Sequence, residues 1–188
     1  SLGAPRRVRA FSGGITSNSF SAFTGCNGCH SGGTTPMVTL TGPTSVDPSS
    51  THEYTFTVSH VGAQDLAGLN VSAADGVLAT GGSNAAGTQS LTGTGGRAEI
   101  THTGPKSSMT SVTTFSFLWT APSSFTNVTL QAWGNAVNGN LSTTGDRAAR
   151  ITLDVMNSSL PTAVPTVTPT PVPTPADKLG DPIKRPIR

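Results

Sequence analysis

The sequence predicts an all-β fold, an antiparallel β-sandwich of immunoglobulin-like type, on three observations. Strong helix formers are scarce: among 188 residues Glu appears twice and Lys three times, while Ser and Thr together number 52. Ser, Thr and Gly disfavour helix interiors, whereas Val, Thr and the aromatics fit a pleated, half-buried surface. The hydrophobic positions alternate with a period of two, which is the signature of a strand with one covered face. The apolar runs are short, and Gly, Pro, Asn and Asp fall between them as turn residues. This composition excludes a coiled coil or a helical bundle. No run approaches the roughly 18 consecutive apolar residues of a spanning helix.

The strands follow in order. Met37 to Thr41 alternates, and so does His52 to His60, with Tyr54, Phe56 and Val58 on one face. Leu66–Ala73, Val77–Thr80, Arg97–Thr103, Val112–Thr120, Asn127–Gly134 and Arg147–Met156 complete the set. In the last of them Ile151, Leu153 and Val155 point one way and Thr152 and Asp154 the other. Seven or eight short strands with turn residues between them make a sandwich. The inter-sheet disulfide of antibody domains is excluded, because the chain's two cysteines both precede the first strand. No internal repeat is present.

The chain divides into a glycine-rich lead over residues 1–35, the β domain over 36–157, and a tail over 158–188. From Pro161 to Pro175, six Pro and five Thr alternate with Ala and Val. Such a segment builds no core and is expected to run as extended polyproline II, like an O-glycosylated stalk. The formal net charge is +2, but residues 1–9 carry three Arg and residues 178–188 carry four bases against one acid, leaving −4 on the body between. A nucleic-acid binder is expected to carry its basic patch on the folded domain, interleaved with aromatics. Basic ends on an acidic body instead predict ends that dock on an acidic surface, another copy of the body included. The opening Ser-Leu-Gly-Ala, without Met, reads as a mature chain after removal of a signal peptide. An extracellular or cell-surface location is therefore expected. Sequons at Asn70, Asn127, Asn140 and Asn157 are compatible with export.

The residues that carry chemistry are Cys26-Asn27-Gly28-Cys29-His30. Two thiols at this spacing add to the two vinyl groups of one porphyrin, and the adjacent His is delivered to the iron; the pattern is the attachment signature of haem c. One haem c per chain is expected, with Cys26 and Cys29 attached covalently and His30 as axial ligand. Small residues around the motif let the backbone approach the ring. A Cys26–Cys29 disulfide would close a tiny strained loop. A thioredoxin-like pair needs a βαβ setting, and a zinc site needs two further strong ligands. The sequence shows no paired carboxylates, no Ser/His/Asp set and no phosphate loop, since no helix follows the turn-rich Thr92–Gly96. A non-enzymatic role follows.

The second axial position has several candidates. A sixth ligand saturates the iron and makes an electron carrier, whereas an open position permits ligand binding or peroxidase-like chemistry. His102 leads, in a strand beside Thr101 and Thr103 and just before Gly104-Pro105. His60 and His52, at the two ends of one strand, are expected to be solvated. Met37 follows the motif too closely to wrap around the ring, Met109 is a further candidate, and Met156 is expected to serve packing.

From about Phe11 to Met156 the chain resembles bacterial surface proteins that join one Cys-x-x-Cys-His motif to a Reeler-like (reelin-type) β-sandwich. The resemblance is carried by Cys26–Gly33, Val38–Pro43, Tyr54–Val58, Glu99–Thr103 with Pro105-Lys106, Trp119–Pro122, Gly134–Asn140 and Gly145-Asp146. It implies an exported domain, usually followed by a linker and a C-terminal anchor; here the linker leads into a basic tip.

The function expected is an extracellular monohaem cytochrome passing electrons to redox partners. One haem moves charge only locally, so self-assembly is expected. A stalk ending in Lys178, Lys184, Arg185 and Arg188, with Ile183 and Ile187 as apolar anchors, can lie along a neighbour's acidic sandwich and add to a sheet edge. Head-to-tail contacts of that kind propagate a filament. The alternatives are an adhesion or structural module with a Cys26–Cys29 disulfide, and a haem sensor or peroxidase with open iron.

Overall fold

The computed structural model describes residues 11–16, 25–107 and 110–160. Among them twelve strands run in chain order: β1 Ser31–Gly32, β2 Met37–Thr41, β3 Ser45–Val46, β4 Thr51–Ser59, β5 Leu66–Ala73 and β6 Val77–Thr80, then β7 Thr88–Thr92, β8 Ala98–His102, β9 Lys106–Ser107, β10 Val112–Thr120, β11 Asn127–Val137 and β12 Thr144–Asn157. They form two sheets. The smaller has the order β2-β4-β10-β6; the larger runs β1-β12-β11-β5-β8-β7, with β3 beside β12 and β9 beside β5. The fold is an almost all-β sandwich. No helix among the described residues is long and apolar enough to cross a membrane.

Period-two alternation fills the space between the sheets. Tyr54, Phe56 and Val58 of β4 and Phe115, Phe117 and Trp119 of β10 are fully buried, and meet Leu69, Val71, Ile100, Leu130 and Val155 of the larger sheet. Each such side chain contributes about 1.5–3 kcal/mol by leaving water. Trp119 stands edge-on to Tyr54 and Phe125, with ring centres 6.1 and 6.3 Å away, and its indole N–H donates to the Asp75 carbonyl at 2.9 Å. Gly134 is a packing requirement: a Cβ there would lie within 2.9 Å of Val58, Phe56 and Val38 across the core.

The observed strands differ from the expected ones where the sequence signal is weak. β11 and β12 run past Gly134 and back to Thr144, because one continuous register joins Asn127↔Met156 through Ala136↔Arg147. Edge strand β7 (Thr-Gln-Ser-Leu-Thr) has no alternating apolar face and is held by pairing with β8 alone. The short β1 and β3 both pair with β12 in parallel.

One feature of the larger sheet positions the site. β5 and most of β11 are buried on both faces, so their outward-facing Gly68, Asn70, Trp133 and Asn135 have cover as well as the inward-facing residues. Part of that cover is the turn bearing Cys26, since Gly25 packs directly against the Trp133 ring.

Trp119 ties this core together. Replacing Trp119 with Ala is expected to cost about 3–5 kcal/mol. In urea titrations the midpoint should fall while the slope stays constant, because the surface exposed on unfolding is unchanged.

Candidate functional site

Residues Gly25–Gly28 make one 3-10 turn, and the amides of Cys29 and His30 both donate to the Cys26 carbonyl, at 3.2 and 3.0 Å. The turn is fastened to β12 by Asn27. Its side-chain amide donates to the Ala148 carbonyl and accepts from the Ala148 N–H, both at 2.9 Å, so it pairs with the strand as another backbone would. The chain after the motif is held too: Ser31 N–H donates to Thr143 and Gly33 N–H to Asp146, at 3.0 and 3.1 Å. These bonds satisfy the polar backbone of a loop that lies on a buried surface.

His30 Nδ1 lies 2.9 Å from Asp146 Oδ2. The other carboxylate oxygen accepts the Asn138 N–H at 2.9 Å, and Asp146 is 1% exposed. Donation from Nδ1–H to the carboxylate leaves Nε2 with its lone pair, which is the ligating tautomer.

His102 ends β8. Its ring lies against Gly68, where a Cβ would come within 2.7 Å of Cε1 and 2.9 Å of Nδ1, so a glycine is what admits it. Nδ1 is 3.1 Å from both the amide nitrogen and the carbonyl oxygen of Leu69. In one tautomer Nδ1 accepts the Leu69 N–H; in the other Nδ1–H donates to the Leu69 carbonyl and leaves Nε2 unprotonated. Burial holds the His102 pKa below the ordinary histidine value; backbone hydrogen bonds to Leu69 and Phe11 oppose this, and the nearby His30 adds to it. The ring is therefore kept neutral, the form that binds metal.

The motif and His102 meet in one cleft of about 360 Å³, lined by Cys26, Cys29, His30 and His102 together. Phe11, Ile15, Leu69, Pro105, Val137 and Leu141 give it apolar walls, and Gly68, Asn70 and Asn135 also line it. Its size lies within the roughly 300–1,000 Å³ of small-molecule and cofactor pockets. Both cysteines are free thiols; Cys29 is exposed, and burial pushes the Cys26 thiol up to about 12. The buried Asn135 Oδ1 has no hydrogen-bond partner among the described residues.

The other sequence candidates lie elsewhere. His52 Nε2 is 2.8 Å from Ser50 Oγ, outside the cleft. His60 is 3% exposed rather than solvated, because its strand end is covered and its Nε2 lies 3.2 Å from Thr113 Oγ1. Met37 is 68% exposed on edge strand β2, and Met156, expected to pack, is 49% exposed where β12 meets the two-residue β3. Met109 and the tail beyond residue 160 lie outside the described residues. The sequon at Asn70 is closed to a glycan, since that side chain is buried and donates to Glu99 and to the Ile15 carbonyl. Two functional residues went unassigned by sequence reasoning: Asn27, inside the motif, and Asp146, whose sequence signal is its place in the Gly145-Asp146 stretch.

No protein-family model matches the sequence, and none of the curated proteins compared with it is similar. A solved structure of similar shape is the CARDB domain of a Pyrococcus furiosus protein, crystallised in complex with di-metal ions. It is 18% identical, the match covers 65% of this chain and 93% of that one, and the TM-score is 0.34.

The two thiols differ in exposure, Cys29 being open and Cys26 partly buried. Thiolates are the nucleophiles, so the protein with both thiols free, treated with iodoacetamide at pH 8, is expected to label Cys29 at least tenfold faster than Cys26, read by peptide mass spectrometry. In denaturant the two rates should converge.

Proposed function

We propose that the chain is an exported monohaem cytochrome c that carries electrons, held by Cys26 and Cys29 and ligated by His30 and His102. The observation that carries this reading is the cleft itself: four residues of the right chemistry, one of them far along the chain from the other three, line one apolar pocket. The residues fit the group. Asp146 favours the Nε2 ligand tautomer of His30, the Leu69 carbonyl lies 3.1 Å from His102 Nδ1, and Gly68 leaves room for the His102 ring. Among the described residues no group of three or more His, Cys, Asp or Glu is disposed to hold a bare metal ion. A porphyrin brings four nitrogens of its own and asks the protein for two axial groups.

When bound, the haem supplies one-electron exchange at its iron. The chain's own residues hold it and exclude water from it. Asn27 and Gly25 seat the attachment turn on the sheet, Asp146 holds the His30 ring, and Leu69 holds His102. The apolar walls shield the centre, and the exposed Cys29 marks the side open to a partner. The resemblance to Reeler-like surface proteins carrying the same motif supports an extracellular location. Assembly into a filament rests on the basic ends, on the acidic body, and on the edges of β2, β6 and β7, which pair with no further strand among the described residues.

The test is a visible spectrum of purified protein, oxidised and reduced, after denaturing washes. Retained colour with a low-spin spectrum lacking the methionine–iron band is expected. His102→Ala should convert it to high spin while the covalent haem stays. A colourless protein leaves a surface scaffold, and high-spin wild-type iron a sensor or peroxidase. For assembly, the full chain is expected to elute well above 19 kDa in size-exclusion chromatography, and a chain ending at Leu160 as a monomer. Coincident elution of the two would remove the tail from the assembly.

A further inference from the structure

Asp146 is a buried anion in an unusual position. A carboxylate taken out of water is costly unless a positive charge or several donors compensate it. Among the described residues its side-chain carboxylate has two partners, the His30 ring and the Asn138 amide, each at 2.9 Å. The ion pairs among the described residues are His30–Asp146 and Arg97–Asp75, so no lysine or arginine among those residues neutralises it. The placement is nevertheless built. Gly33 N–H donates to the Asp146 carbonyl, Gly145 takes a φ of 80°, and a Cβ at Gly33 would stand 2.6 Å from the Gly145 oxygen and 2.7 Å from the Asp146 carbon.

The two imidazoles of the cleft are unequal in consequence. His30 donates to a full negative charge, whereas His102 has the neutral backbone of Leu69 as its Nδ1 partner. A carboxylate behind an imidazole makes its other nitrogen a stronger donor and tunes the metal.

We infer that Asp146 is a positioning residue that acts through His30 to lower the reduction potential of the iron, and that the positive charge no described lysine or arginine brings to it is supplied by the oxidised centre. This rests on the haem reading above. Ferric iron carries one more positive charge than ferrous, so a buried anion at the far side of the ring favours the oxidised state. His30 thereby becomes the stronger of the two axial ligands.

The experiment is spectroelectrochemical titration at pH 7 of wild-type holoprotein and of Asp146→Asn, which removes the charge at nearly constant shape. At a fixed applied potential the variant is expected to show at least a tenfold higher ratio of reduced to oxidised protein, 59 mV for a one-electron couple. A ratio changed less than twofold, with the low-spin spectrum intact, overturns the inference. If the variant loses that spectrum or fails to fold, proton NMR of the wild-type ferrous protein decides. The His30 Nδ1–H is then expected further downfield than that of His102 and slower to exchange; coincident behaviour overturns the inference. A wild-type protein without haem instead removes the cytochrome reading, which is a separate outcome.

Discussion

An antiparallel sheet in a sandwich ordinarily buries one face and shows the other to water. Here β5 and most of β11 are covered on both faces, and the rest of the arrangement follows from what that demands. Polar residues on the second face, among them Asn70, Gln131 and Asn135, cannot rely on water, so a loop laid over them has to bring its own hydrogen bonds. Asn27 does this by pairing with Ala148 as though it were a strand, and Gly25 lets the turn settle on Trp133. The cover thus serves two ends: it closes the sheet, and it fixes three chemically active residues against a rigid floor.

The rigidity of that floor comes from the other side. The fully buried rings of Tyr54, Phe56, Phe117 and Trp119 fix the separation of the sheets, and Gly134 lets the larger one approach the smaller. Sites built on strands hold their geometry better than sites on loops. His102 belongs to a strand, and His30 is coupled to one through Asp146, so both imidazoles are referred to the same sheet although one of them sits in a loop.

The sequence made the sandwich legible wherever one face of a strand was apolar. Met37–Thr41, Leu66–Ala73, Val77–Thr80 and Val112–Thr120 begin and end where alternation and turn residues place them. β7 was invisible because an edge strand of Thr, Gln and Ser has no apolar face to betray it. The Cys-x-x-Cys-His motif was legible because its spacing is local. The positions of Asp146 and His102 relative to it were not, since they depend on the parallel pairing of β1 with β12 and on the order β12-β11-β5-β8. His60 shows the same limit: the end of a strand is exposed or buried according to what lies across from it, here Thr113 and Ser111.

The withdrawal of Cys26 from water carries a consequence in time. On the cytochrome reading, its sulfur meets the porphyrin more readily as a thiolate, and burial in the closed fold raises the thiol pKa to about 12. On that reading, attachment is favoured on the nascent or partly folded chain, before Gly25 reaches Trp133 and Asn27 reaches Ala148. Folding after that point then closes the turn around a group already in place, and a chain that folds first offers a less reactive sulfur to it.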